Sequence, residues 1–330
     1  MSKYNRATEG LTIVGDFTDQ VKGRTFLITG PSEGGIGAET AISLAHGSAA
    51  TLILLGRSPA KAESTIEAIR RVDPQVLVKF IQVDLASLKS VREAAQAILQ
   101  DPAIPKINVV INNAGVMACP YRTTEDGLEF QLAANHLGHF VLTNTIMPKV
   151  KAAGAGSRIV FVSSSSHRYN PFRFRDPNFA APGSYEEAAA YGSSKVAMML
   201  YAVGLKKRLA PYGIHVYTLH PGSISTGLQV HAKSMGLTAM EIWDEASWRC
   251  FGMSIAAYRA LGTAKTVQQG CSTTLRAALD PDLVNEEGIY LEDANLTTDN
   301  RAVKEWATDP ELAERCWQTS EELVSEKFSI

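Results

Sequence analysis

The 330-residue sequence predicts a doubly wound α/β fold, a parallel sheet covered by helices on both faces of a single domain. Three observations predict it. Short β-rich runs alternate with stretches of helical period from about residue 24 to residue 219. The runs carry no polar face, as in the TLILL of Thr51–Leu55, which suits a sheet buried on both sides. The first run enters its helix through a turn with Gly30, Gly34, Gly35 and Gly37.

Taken in order, Arg24–Thr29 reads as a strand and Gly35–His46 as a helix behind the glycine turn. Thr51–Leu55 is the second strand, Ala60–Val72 an amphipathic helix and Val76–Val83 the third strand. Ser87 caps a helix that runs to about Leu99, because its hydroxyl can accept a free N–H of the first turn. Ile107–Ile111 and Arg158–Val162 are strands on either side of a long helical stretch, Thr124–Val150. Glu186–Leu209 is a helix and Ile214–Leu219 the sixth strand. Such alternation gives right-handed βαβ crossovers. Ligands of these sheets bind beyond the carboxyl ends of the strands, so the strand exits are the informative positions.

The composition excludes several classes. A net charge of −2 without a basic or acidic run argues against nucleic acid and anionic membranes as partners. Cys119, Cys250, Cys271 and Cys316 lie far apart with no zinc spacing, which predicts reduced thiols and no metal. The N-terminus, MSKYNRATEG, has no apolar core of a signal peptide, and no apolar stretch is long enough to span a bilayer. A cytoplasmic protein is the expectation.

At the first exit, ITGPSEGGIGAET, backbone N–H groups and the helix dipole can hold a phosphate. Ile36 and Gly37 stand where a P-loop has its lysine and its hydroxyl, so a diphosphate suits the turn better than a nucleoside triphosphate. At the second exit Arg57 occupies the place of the acid that would hold a ribose 2′-hydroxyl; a guanidinium there pairs with a 2′-phosphate and favours NADP(H). Glu33 works slightly against that pairing. Asp84 at the third exit suits an adenine amino group or a helix cap, and Asn112 to Gly115 leave room for a planar ligand or form a simple turn. The sixth exit, HPGSISTGL, offers Ile224 and Thr226.

The fifth exit, FVSSSSH, precedes a helix carrying YGSSK, in which Tyr191 and Lys195 share one face. A free phenol titrates at about 10. A neighbouring ammonium lowers that value, and the phenol can then exchange a proton with a carbonyl or alcohol oxygen that a serine hydroxyl holds. By itself such a pair is also common on helix surfaces.

Together these residues resemble the short-chain dehydrogenase/reductase family, and within it the soluble, fungal-type members of the retinol-dehydrogenase and WW-domain-oxidoreductase group. The likeness runs from about Val21 to Phe328 through NNAG, TEDGLEFQLAANHLGHFVLT, SRIVFVSS, YGSSK, HPG, QQGCSTT and WQTSEEL. It implies a Rossmann sheet and an NADP(H)-dependent reductase of a ketone or aldehyde on a fairly large apolar substrate, in secondary metabolism, with a homodimer or homotetramer as its assembly. Tyr191 is then the proton donor or acceptor, Lys195 its modulator and ribose ligand, and Ser164 the orienting hydroxyl. Asn135 holds the water that links Lys195 to solvent. Gly30, Ile36 and Gly37 line the pyrophosphate, Asp84 and Asn113 the adenosine, and Ile224 and Thr226 the nicotinamide half. The glycine turn holds one residue more than the family's T-G-x-x-x-G-x-G, and the run Ser163–Ser166 leaves the serine open by one position.

The domain is expected to span 21–330 behind an N-terminal extension, 1–20, with 223–263 as a substrate lid. Met235, Met240, Trp243, Trp248, Phe251 and Met253 fit that lid and fit equally a helical pair packed on the core or on a partner subunit. The loop HRYNPFRFRDPNFAAPG reads as a second pocket wall or a packed surface loop. His136 and His139 are three apart but lack a third metal ligand, and His167 and His220 flank the proposed site. Two alternatives keep the fold: an epimerase or dehydratase-like enzyme, and a non-catalytic cofactor-binding regulator.

Overall fold

A computed structural model describes residues 2–229, 237–261 and 264–330. The apolar runs form strands β1 (Thr25–Thr29), β2 (Thr51–Gly56), β3 (Leu77–Gln82), β4 (Val109–Asn112), β5 (Arg158–Val162) and β6 (His215–His220). Four short strands follow: β7 (Ser223–Ile224), β8 (Ala264–Lys265), β9 (Tyr290–Glu292) and β10 (Asn295–Leu296). Eight of the ten make one sheet in the order β10-β9-β6-β5-β4-β1-β2-β3, parallel except for the terminal β9–β10 pair, while β7 and β8 pair separately. The chain leaves β1 toward β2 on one side and returns to β4 on the other, with Ile28 in register with both Leu54 and Ile111. A ligand crevice opens at that reversal.

The helices are α1 (Gly10–Asp16), α2 (Ile36–His46), α3 (Glu63–Val72), α4 (Leu88–Gln100), α5 (Phe130–Leu132), α6 (Gly138–Thr145), α7 (Met147–Lys151), α8 (Glu187–Leu209), α9 (Leu237–Phe251), α10 (Ile255–Ala260), α11 (Val267–Leu279) and α12 (Pro310–Val324). Alternate strand residues feed two cores, because successive side chains point to opposite faces. Leu27, Ile53 and Val110 join Val91, Phe140, Leu200 and Trp317 under α4, α6, α8 and α12. Phe26, Ile28 and Leu52 join Ile13, Leu44 and Leu275 under α1, α2 and α11. The stretch 1–20 therefore contributes to the second core: α1 buries Ile13 and Val14, and a Cβ on Gly10 would sit 2.4 Å from Cys271 Sγ.

The expected helix over Thr124–Val150 is shorter and broken. Residues 124–129 form a turn, with Gly127 at φ +73° and Thr124 N–H bonded to the Leu128 carbonyl at 2.8 Å. The Asp126-Gly127 pair is a turn signal that the helical period overrode in reading the sequence. Glu129 then caps α5 by accepting the N–H groups of Gln131 and Leu132. Between α5 and α6 the helix widens into one π turn, Ala133–Leu137, and α7 restarts at Met147 with Pro148 in its first turn.

Candidate active site

The floor of the crevice is built at the ends of β1 and β4. Gly30 has φ +76°, which only glycine adopts cheaply, and it lets the chain turn directly off β1. Asn113 Nδ2 donates to the Thr29 carbonyl at 2.8 Å, joining the two strand exits. Gly37 lies behind the turn rather than on the crevice wall: a Cβ there would meet the Gly30 carbonyl at 2.4 Å and Asn113 Nδ2 at 2.5 Å. Its smallness lets α2 sit close enough for Ile36 to reach the wall.

A cleft of about 1040 Å³ runs over this floor. Gly30, Ile36, Arg57, Asp84, Asn113, Ser164, Tyr191, Lys195, Ile224 and Thr226 all line it. Gly37 and Asn135 do not. Arg57 is exposed at one end, beside Ser58 and Lys61, and its guanidinium hydrogen-bonds no protein group among the described residues. Lys61, which the sequence reading passed over, is held near the glycine turn by the bond from Glu33 N–H to its carbonyl at 3.3 Å. Asp84 Oδ1 accepts the Ala86 N–H at 3.0 Å, so part of this carboxylate shapes the turn before α4 while Ser87 caps the helix itself.

At the other end α8 and the β5 exit converge. Tyr191, Lys195 and Ser164 are all buried. The Ser164 hydroxyl lies beside the Tyr191 phenol and donates to Ser166 Oγ at 3.2 Å, whereas Ser163 Oγ donates to the Lys195 carbonyl at 3.2 Å, which distinguishes the two serines. His167 Nδ1 holds the Ser164 carbonyl at 2.6 Å from behind. Lys195 Nζ donates to the Val162 carbonyl at 2.9 Å and lies 5.8 Å from the Tyr191 ring centre. Asn135 is packed behind this group in the π turn: its Oδ1 accepts the Val116 N–H at 2.7 Å, and its Nδ2 donates to the Val116 carbonyl and to Ser194 Oγ, each at 2.9 Å.

Burial dominates the electrostatics. It drives Lys195 down to about 7 and Tyr191 up to about 12, with the nearby Ser164 hydroxyl pulling the phenol the other way. The lowering of Tyr191 by an adjacent ammonium, expected from the helix spacing, is absent in the free protein, because desolvation penalises both charged forms. At neutral pH the phenol keeps its proton.

The far wall comes from α9 and α10. Trp243, Phe251 and Tyr258 line the cleft, and Phe251 stacks on Tyr258 with ring centres 4.1 Å apart. Trp248 instead faces solvent, so it neither lines the cleft nor packs on the core. Met235 and the side chain of Met240 lie outside the described residues. The loop 167–183 contributes no wall; Phe172 and Phe179 are buried in packing, and Phe172 stacks edge-on against Phe174. His220 lines the cleft. His136 and His139 bond Ser320 and Thr29 respectively, and no group of three metal-ligating side chains occurs among the described residues.

The family profile described as short chain dehydrogenase matches residues 24–176 and 178–235. With that match and the relatives below, the chain belongs to the short-chain dehydrogenase family of oxidoreductases. Within it the chain groups with retinol-dehydrogenase-like members: it is 36% identical over 314 residues to retinol dehydrogenase 14 of Mus musculus, covering 92% of this chain and 86% of that one. It is 35% identical to the chloroplastic short-chain dehydrogenase TIC 32 A of Brassica napus, over 91% of this chain and 88% of that one. Among solved structures, an uncharacterized protein from Mycobacterium paratuberculosis superposes with a TM-score of 0.68 at 26% identity, over 95% of this chain and 99% of that one. No helix among the described residues is long and apolar enough to cross a membrane.

Proposed function

We propose that the protein is an NADP(H)-dependent oxidoreductase that moves a hydride between the nicotinamide and a carbonyl or alcohol carbon of a fairly large apolar substrate. One observation carries the reading: Ser164, Tyr191 and Lys195 meet in one buried corner of a cleft whose opposite end holds Arg57. The cleft fits a dinucleotide. Its floor is a glycine turn at the N-terminus of an 11-residue helix, which suits a pyrophosphate, and Arg57 with Ser58 and Lys61 suits a 2′-phosphate. Gly30 and Ile36 would flank the pyrophosphate, Asp84 and Asn113 the adenosine half, and Ile224 and Thr226 the nicotinamide half. A solved relative in fold, the 3-oxoacyl-(acyl-carrier-protein) reductase of Agrobacterium tumefaciens with NADP bound, has a TM-score of 0.59 at 23% identity over 83% of this chain and 95% of that one.

The bound cofactor would supply or accept the hydride. The chain's own residues manage the proton and the geometry. The phenol of Tyr191, protonated in the free protein, donates to the substrate oxygen in reduction, and Ser164 Oγ hydrogen-bonds the same oxygen. Lys195 titrates close to neutrality, so it can take up charge as the phenolate forms and return the proton afterwards. Asn135 fixes the backbone of Val116 beside Lys195. Trp243, Phe251 and Tyr258 give the substrate an apolar wall that excludes water from the transfer.

The test is Tyr191→Phe with NADPH deuterated at the transferable position and a panel of aromatic and long-chain aldehydes and ketones. The wild type should pass the label to product carbon. The variant should lose at least about 1,000-fold in kcat while binding NADPH within about threefold of wild type. Wild-type kcat in the variant would refute the acid–base assignment. Turnover without net label transfer would point to an epimerase, and NADPH binding with no turnover to a regulatory role.

A further inference from the structure

His139 has no part in the mechanism above, yet its ring joins the two halves of the site. It is fully buried on α6, as are Thr29 at the end of β1 and Asn135 in the π turn. His139 Nδ1 lies 3.0 Å from the Asn135 carbonyl oxygen, and His139 Nε2 lies 3.0 Å from Thr29 Oγ1. The same Thr29 oxygen accepts the N–H groups of Asn113 and Ala114, each at 2.9 Å.

These contacts fix every proton. A hydroxyl oxygen has two lone pairs and one hydrogen. Two N–H donors occupy both lone pairs of Thr29 Oγ1, so its hydrogen points to His139 Nε2, which must be an acceptor. The carbonyl of Asn135 can only accept, so Nδ1 carries the ring proton. A neutral ring is what the surroundings favour: burial first, then the nearby Lys195 charge, brings the imidazole down to about 4 against the opposing pull of the Asn135 carbonyl. A charged ring would present a third donor to an oxygen with no lone pair left.

The chain of bonds runs without a gap from the floor of the cleft to the proton-transfer corner. Asn113 and Ala114 form the floor, and the side chain of Asn135 grips Val116 two residues further on. The backbone 113–116 is thus held at one end by Thr29 and at the other by Asn135, and His139 joins the two holders. We propose that His139, as its neutral Nδ1–H tautomer, is a positioning residue: it ties the Asn135 backbone to the Thr29 hydroxyl and so keeps the dinucleotide floor in register with Lys195 and Tyr191.

Two experiments on the full-length chain decide it. The first is ¹⁵N NMR of imidazole-labelled, cofactor-free protein, which does not depend on the functional reading above. The His139 signal is assigned as the one absent in His139→Leu or, should that variant fail to fold, as the one most displaced in the near-isosteric Thr29→Val. It should report an Nδ1-protonated ring with no titration between about pH 6 and pH 9. An Nε2-protonated ring, or one that charges in that interval, overturns the proposal.

The second is a cycle of Thr29→Val, His139→Leu and the double variant, with Thr29→Ser as the conservative rescue, using NADPH and 4-nitrobenzaldehyde as probes. Each single change should lower kcat about 10- to 100-fold with the aldehyde KM moved less than about threefold. The double variant should match the worse single, and Thr29→Ser should return to within about threefold of wild type. Losses that multiply, or a serine no better than valine, overturn it. This arm rests on the oxidoreductase reading. If the wild type reduces no carbonyl, that reading fails, and the same cycle read on NADPH affinity, with the tautomer, still decides the role of His139.

Discussion

Replacing Gly37 by alanine tests whether the glycine turn is held by close packing rather than by loop freedom. The added Cβ would lie 2.4 Å from the Gly30 carbonyl oxygen and 2.5 Å from Asn113 Nδ2, well inside contact distance. Neither neighbour can swing away. The carbonyl is backbone, and Asn113 Nδ2 is committed to the Thr29 carbonyl at 2.8 Å. Something on the order of 1 Å of movement is therefore forced at the junction of β1, α2 and β4, and overpacking of this kind costs about 1–3 kcal/mol. If the strain stays in the folded protein, melting falls by about 1.5–4 °C. If α2 moves off the turn instead, the same energy appears as a roughly 5- to 150-fold loss of NADPH affinity, since about 1.4 kcal/mol is tenfold. Gly15 in α1 is the control: a Cβ there meets nothing within 4 Å, so Gly15→Ala should be neutral or stabilising by up to about 1 kcal/mol. Thermal unfolding and fluorescence titration with NADPH read both quantities. A Gly37→Ala protein that melts within 1 °C of wild type and binds NADPH within about twofold would refute the reasoning.

Three further outcomes follow from the same geometry. Arg57→Ala should weaken NADPH by roughly 10- to 100-fold and leave NADH within about twofold, measured by parallel titration; equal losses for both cofactors would remove the 2′-phosphate from its role. Gly138→Ala places a Cβ 2.3 Å from the Leu85 carbonyl oxygen at the third strand exit, so calorimetry should show destabilisation by about 1–3 kcal/mol, and an unchanged melting point would mean that α6 packs less tightly on the loop after β3 than that distance implies. Lys195 is a buried lysine whose folded value, about 7, lies below its unfolded one, so the unfolded chain binds more protons between about pH 7 and pH 10 and stability from this group rises with pH through that window. The depression corresponds to about 5 kcal/mol present as a penalty below pH 7. Lys195→Met should thus gain more stability over wild type at pH 6 than at pH 9 in cofactor-free denaturant titrations, and a pH-independent difference would show that the lysine is hydrated.

Much of the fold was legible because its signals are local. Strands such as β2 bury an unbroken apolar run, Leu52–Leu55, and such a run announces that directly. The glycine turn, YGSSK and the serine-tipped strand could be placed at strand exits because the crossover rule orders them. The misreadings lie where two local signals competed or where three-dimensional closeness decides. Thr124–Val150 has helical period throughout, yet the Asp126-Gly127 turn and the Glu129 cap delay the helix to Phe130. α1 lies on the second core only because Gly10 lets it approach α11, and no pattern in 1–20 points to a partner some 260 residues away. Lys61 escaped notice because its relevance is proximity to the glycine turn rather than a motif.

The most consequential difference concerns charge. Helix spacing brings Tyr191 and Lys195 to one face, and spacing alone suggests an ammonium that acidifies a phenol. The structure adds the term that spacing cannot contain, because both groups are buried and Lys195 Nζ donates to the neutral Val162 carbonyl rather than to a carboxylate. Desolvation acts on the charged form of each group separately, so the phenol rises to about 12 while the ammonium falls to about 7. At neutral pH the phenol keeps its proton, and the lysine is the member of the pair that titrates there. The unliganded site therefore holds a neutral phenol, the form that the proposed reduction needs. Removing a proton from an alcohol requires further positive charge to enter the cleft first, and the oxidised form of a nicotinamide carries that charge where the reduced form does not. Direction would accordingly be set by which cofactor form occupies the floor, through the same buried lysine whose pH signature Lys195→Met exposes.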